Sequence, residues 1–174
     1  MSRSIKILLP TGFVISSIVG TLLHFAYEKS GNSLLVAPFS GVNESTWEHM
    51  KLLFWPMLIF SLFECFFIKD RRDFWCIKLR GILLGLCLIP VIFYTYNGVI
   101  GRSPDWVNIS IFFISAALSY IYQVRLFEGG RVVCKYKLLP KIVLCIILVM
   151  FVVFTFFPPH IEIFKDPVTE KYGI

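Results

Sequence analysis

Apolar residues in this chain are gathered into five blocks, at residues 5–27, 52–68, 82–100, 107–123 and 138–157. A helix needs ~20 mostly apolar residues to cross a bilayer, and each block reaches or nearly reaches that length. The pattern predicts five transmembrane helices joined by short connections. No internal repeat is visible, and too little sequence is left over for a separate soluble domain. We therefore expect an all-α polytopic membrane protein, one embedded domain over residues 1–174. Arg3 and Lys6 ahead of the first block resemble the charged start of a signal peptide. The block is too long for such a segment and no A-x-A site follows, so it reads as a retained helix.

Composition agrees with the pattern. The 174 residues are 57% hydrophobic and 16% charged, with 18 Phe, whereas a soluble domain carries about 25% charged residues. The net charge of +6 is no nucleic-acid footprint, because the basic residues flank the apolar blocks. They do set an orientation, since cytoplasmic loops are enriched in Lys and Arg. With the N-terminus inside, 12 basic residues fall on the inner side: Arg3, Lys6, Lys69, Arg71, Arg72, Lys78, Arg80, Arg125, Arg131, Lys135, Lys137 and Lys141. Lys29, Lys51, Arg102, Lys165 and Lys171 make 5 outside. The expected location is the cell membrane, with the N-terminus cytoplasmic and the C-terminus extracytoplasmic. Cys65, Cys76, Cys87, Cys134 and Cys145 then lie in spans or inner loops, with no C-x-x-C pair, and read as small apolar filler.

All three histidines and 7 of the 11 carboxylates fall on the outer side in this arrangement. The densest cluster is Asn43-Glu44-Ser45-Thr46-Trp47-Glu48-His49, just ahead of the second block. Ser45-x-x-Glu48 is a capping-box pattern, so helix should resume there and run on to Ile68, with Pro56 a source of a kink. Helical spacing puts Glu44 and Glu48 on one face and Ser45 and His49 on the neighbouring stripe. Two carboxylates and an imidazole so close suit either a divalent metal or a general acid/base group. His24, at the end of the first block, and His160, after the last, are further ligand candidates. Zinc accepts such nitrogen and oxygen ligands and needs an open position for catalysis, although H-E-x-x-H is absent. The bland alternative stands beside it and weighs somewhat more on sequence alone: Glu48 caps the helix, Glu44 complements its dipole, and Trp47 and His49 sit in the interface.

Three other features bear on such a site. Tyr94, Tyr96 and Asn97 end the third block, as an aromatic belt and helix cap or as polar partners of the cluster. The tail begins Pro158-Pro159-His160 and turns at Asp166-Pro167, while Ile161, Ile163 and Phe164 give it reason to pack back over an outer cavity. Glu64, near the inner end of the second span, is best read as snorkelling or paired with Lys69 or Arg71 rather than as part of the outer site.

The segment Asn43–His49 with Lys51, the sequence His24-Phe25-Ala26-Tyr27 and the Pro-Pro-His tail with Phe164-x-Asp166-Pro167-x-Thr169 resemble a family of small bacterial integral-membrane proteins of unknown function. The similarity extends over the whole chain, with glycine expected where this sequence has Glu170. It implies that the outer cluster acts as a unit and supplies no reaction.

The residues favour a metal-dependent membrane hydrolase acting on a lipid or lipid-linked substrate. Glu48 would be its general base, and His24, Glu44, His49 and His160 its metal ligands. Asn43, Trp47, Tyr94, Tyr96, Asn97 and Asp166 would surround them. The alternatives are a cation or small-solute binding or transport component, and a non-catalytic assembly partner in a membrane complex. The expected partners are the lipid bilayer and a lipid or small-molecule ligand.

Overall fold

The fold is described from a computed structural model covering residues 3–68, 71–129 and 132–174. Lys69 and Arg131, two of the basic residues in the charge count, lie outside the described residues. Five long helices follow in order: α1 Arg3–Lys29, α2 Thr46–Glu64, α3 Phe74–Val99, α4 Asp105–Gly129 and α5 Leu139–Phe156. A short 3-10 turn, Glu162–Phe164, and one bridge between Lys165 and Tyr172 complete the tail. α1 packs on α2 and α4, and α3 packs on α2 and α4, so the first four helices close a ring. α5 lies outside this ring against α3, and its Phe151 reaches Phe54 of α2.

Among the described residues four helices, rather than the five expected, are long and apolar enough to cross a membrane: α1, α3, α4 and α5. They make this a multi-pass membrane protein. The exception is α2, where Glu48, Lys51 and Glu64 interrupt the apolar run. It is also the most enclosed helix, with 14 of its 19 residues buried, against four on α5. Charged groups in such a position need partners, because an unpaired buried charge is costly. Each has one here. Glu64, fully buried, pairs with the equally buried Lys78 of α3, whose ammonium also donates to Gln123 Oε1 of α4 at 2.8 Å. The partner of Glu64 is thus Lys78. That residue and Arg80 belong to α3, which begins at Phe74, eight residues before the apolar block does.

Close approach of α3 to α4 depends on small residues, as is common between membrane helices. A Cβ at Gly85 would collide with the Ser119 hydroxyl and stand 2.8 Å from Leu53 Cδ2. The end of the bundle beyond Glu64 is fastened by Arg71. It makes two bonds to Asp73, at 2.9 and 2.8 Å, and one to the Phe127 carbonyl at 3.3 Å. Hydrogen bonding from Arg71 holds the Asp73 carboxyl below its ordinary range. At the same end Cys76 and Cys134 form a disulfide, with Cα atoms 6.0 Å apart. The reading of all five cysteines as filler holds for at most the three free ones. The bond fastens the start of α3 to the segment leading into α5, a proximity that sequence spacing does not reveal.

The Glu64–Lys78 pair gives a direct test. Lys78→Met should strand the buried carboxylate and destabilise the fold by about 3–5 kcal/mol, whereas Glu64→Leu with Lys78→Met should recover most of that loss. Thermal unfolding in detergent measures both. A single variant as stable as the parent would show that the pair does not hold α2 to α3.

Candidate functional site

The site is built where α1 ends and α2 begins. Ser40, fully buried in the intervening loop, accepts from the Tyr27 N–H at 2.8 Å and donates to the Leu23 carbonyl. Those two groups would bond one another in an uninterrupted helix, so the hydroxyl is inserted into the ladder of α1 beside His24. The loop then approaches α2 through an Asx turn, with Asn43 Oδ1 accepting from the Ser45 N–H at 2.9 Å. Ser45 is the N-cap of α2 and accepts from the Glu48 N–H at 3.4 Å. Only half of the capping box forms, because Glu48 reaches back to the Val42 N–H at 3.0 Å instead. α2 ends at Glu64, short of Ile68, and its last residues are followed by turns.

Glu44 lies between these fixed points and faces two imidazoles. Its carboxylate oxygens are 3.6 Å from His24 Nε2 and 3.7 Å from His49 Nε2. The two rings are 5.6 Å apart centre to centre. One ligand atom from each of the three residues falls within 4.8 Å of the others. Tetrahedral zinc with bonds of ~2.0–2.1 Å would hold its ligand atoms roughly 3.3 Å apart, so the two Glu44 distances are within about half an ångström of closure and the widest gap is within about 1.5 Å of it. The other nitrogen of His49, Nδ1, is 2.9 Å from the Ser45 carbonyl. As donor there, it leaves the Nε2 lone pair directed toward Glu44, the outer-sphere arrangement typical of metal-ligating histidines. His24 and His49 are partly exposed and Glu44 about half exposed, which leaves room for a further ligand.

The cluster opens into a cavity of about 490 Å³. His24, Glu44 and His49 form one polar edge, and Asn97, Arg102, Ser103, Asp105 and Asn108 another. Phe25, Phe93, Phe112 and Phe113 supply apolar wall, and Pro167 and Val168 of the tail reach its rim. The second edge is self-braced. Asn97 Oδ1 accepts from the Ser103 N–H at 2.8 Å, and Ser103 Oγ bonds Asn108 Oδ1 at 2.7 Å.

The remaining sequence candidates separate into distinct roles. Glu48 does not face the histidines' ligand cluster. It is buried and bound to Lys51 Nζ at 2.6 Å, so its carboxylate is committed to an ion pair and is unsuited to act as the general base. Lys51 also donates to the Ala37 carbonyl and to Thr155 Oγ1 of α5, each at 2.9 Å, using all three ammonium protons. His160 is set apart from the ligand cluster, its ring lying on Tyr172 at 4.7 Å, because Pro158-Pro159 lead the chain out of α5 there. Trp47 belongs to an aromatic cluster with Phe151 and Phe164, both at 4.6 Å, and does not line the cavity. Tyr94 reaches Thr46 Oγ1 at 3.5 Å, and Tyr96 is outside the lining. Asn97 does line it. Arg102, Ser103 and Asn108 were missed as site residues because a short polar loop between two spans looks like an ordinary connection. The only signal was three hydrogen-bonding side chains, at positions 97, 103 and 108, around one tight turn.

The tail is folded over this end. Asn43 Nδ2 donates to the Gly173 carbonyl at 2.9 Å, and buried Phe164 packs on Trp47 and Phe154. Asp166, also buried, shapes the turn, accepting from the Val168 N–H at 2.8 Å and the Thr169 hydroxyl at 2.7 Å. Contacts thus run the length of the chain, from α1 to the terminal residues, and the match to known sequence has the same extent. The chain belongs to a family of unknown function (DUF6512), whose profile matches residues 2–174. No curated protein and no solved structure matches it.

Glu170 has φ +60, a left-handed conformation that favours glycine. Holding a non-glycine residue there costs ~1–2 kcal/mol, partly offset in glycine by ~0.5–1 kcal/mol of extra chain entropy. Its ion pair with Lys165, 3.9 Å and largely exposed, offers little in return. Glu170→Gly should therefore tighten the tail, slowing hydrogen exchange at the Val168 amide by roughly twofold to fivefold. Faster exchange in the variant would contradict the docked turn.

Proposed function

We propose that His24, Glu44 and His49 bind a divalent transition-metal ion, zinc first, and that the ion acts on an amphiphile seated in the adjoining cavity. The observation that carries this reading is the convergence of two imidazoles and a carboxylate within 4.8 Å at the edge of a largely apolar cavity. Three protein ligands leave a tetrahedral ion one open position, the arrangement of catalytic rather than structural zinc. The finer reading is a hydrolase acting on a lipid or lipid-linked substrate. Water in the open position would have its pKa lowered to ~7, and the phenylalanine walls would hold an acyl or prenyl chain beside it. With Glu48 committed to Lys51, Asp105 is the cavity carboxylate left to take up a proton.

Metal analysis of the protein purified in neutral detergent tests the site. About one zinc per chain should remain after dialysis against zinc-free buffer. His24→Ala or His49→Ala should weaken binding by at least ~10-fold, as loss of a ligand does. His160→Ala should leave it unchanged. A parent chain that stays metal-free after equilibration with zinc would sink the reading. Stoichiometric metal without turnover of any lipid ester or phosphoester would support cation binding and remove the hydrolase.

We further infer that the histidine end faces outward, on the strength of the basic residues gathered at the other end. Gly98, near that end of α3, has nothing within 4 Å of a built Cβ. With all five native cysteines replaced by alanine, Gly98→Cys should react with a membrane-impermeant maleimide in intact cells. Reaction only after permeabilisation would reverse the orientation.

A further inference from the structure

We infer that the amphiphile taken by this cavity carries an anionic headgroup of the phosphate class, and that its charge is read jointly by the metal ion and by Arg102. The inference rests on the metal-site reading above and adds the substrate's charge. Among the described residues lining the cavity, Arg102 is the one lysine or arginine. It lies exposed in the loop between α3 and α4 and lines the same cavity as His24, Glu44 and His49. Beside it the loop is held in shape by Asn97, Ser103 and Asn108. Asn97 spends both of its amide donors within the protein, on the Phe93 carbonyl and Ser103 Oγ. It therefore positions the loop, and recognition falls to the guanidinium.

Charge balance makes the preference conditional. Glu44 and Asp105 are the carboxylates of the lining. With neutral imidazoles, these two and Arg102 sum to one net negative charge; Asp166, whose charge acts on His49, makes it two, and a divalent ion brings the sum to zero. An anion would be repelled from the first state and admitted to the second, where the ion and the guanidinium can contact it directly. A guanidinium and a metal together suit a phosphate, whose several oxygens can be shared between a bidentate fork and an ion. The apolar wall, including Phe93, Phe112 and Phe113, offers a chain attached to that phosphate a place that free phosphate cannot use.

The test compares three probes on the zinc-equilibrated full chain in neutral maltoside: a monoacylglycerol phosphate, a monoacyl phosphocholine of the same chain length, and inorganic phosphate. Native mass spectrometry and thermophoresis read binding. The monoacylglycerol phosphate should bind most tightly, and Arg102→Ala should weaken it roughly twofold to fivefold, the range expected for a solvated charge contact. Chelation should remove its advantage over the phosphocholine. Metal content is measured on the same samples, so that a failure of the metal site is seen separately. Equal binding of the two lipids by zinc-loaded protein would overturn the charge preference. Inorganic phosphate binding as tightly as the lipid would overturn the amphiphile. An Arg102→Ala variant with retained zinc and unchanged affinity would overturn the role of the guanidinium.

Discussion

The ammonium of Lys51 fixes the architecture of the histidine end. It is fully buried, yet it meets a carboxylate on its own helix, a loop carbonyl and a hydroxyl of α5. Removing one charge of such a pair strands the other, while the intact set is satisfied in every direction. The loop between α1 and α2 is therefore not a free connection. Ala37 is held by Lys51, Pro38 by the Trp55 indole, and Val42 by Glu48. With those points fixed, Ser40 enters the α1 ladder next to His24, and Glu44 is left facing the two imidazoles. The residue that looked catalytic in the sequence holds the scaffold, and its neighbour four positions earlier faces the site.

This division explains which parts of the protein could be read beforehand. Helix number and order followed from apolar block length, since four of the five blocks needed only lipid or other apolar side chains as surroundings. The N-cap at Ser45 followed from local chemistry and needed no tertiary knowledge. The carboxylates were another matter. Glu44 and Glu48 share a helical face by spacing, but Glu44 precedes the N-cap and has no helical phase. The periodicity argument therefore gave them one role where the chain gives them two. A lone lysine shortens an apolar block, so the block pattern leaves Lys78 outside the third span, whereas Glu64 makes it an acceptable core residue. Arg102 and Asn108 became site residues only through the closure of α4 against α1, a distance in space that no local pattern carries.

Charge bias and the disulfide make opposing demands on orientation. Basic residues crowd the end where α3 begins, which favours the cytoplasm there. Cys76 and Cys134 are bonded at that same end, and disulfides persist mainly in oxidising compartments. The charge argument rests on many residues acting together during insertion. The covalent bond rests on two thiols brought close by packing, a geometry that exists in either redox state. We therefore give the charge bias more weight. In either orientation α3 is also held by the Glu64–Lys78 pair, which is independent of redox state.

The placement of polar groups also separates work at one face from passage through the protein. Carriers commonly put their binding site near the membrane midplane, on broken helices whose exposed backbone groups hold the cargo. Here α2 keeps its charges toward its two ends, and its middle buries Leu53, Phe54, Met57 and Leu58. The charged lining of the cavity belongs to the ends of α1 and α4, the first turn of α2 and the adjoining loops, while its depth is walled by phenylalanine. A molecule with a polar head and an apolar tail could occupy that space without leaving the bilayer and without crossing it. The tail of the chain, through Pro167 and Val168, contributes to the lining of the same space. Chemistry at a headgroup uses each of these features, whereas transport would leave the apolar centre of α2 without a role.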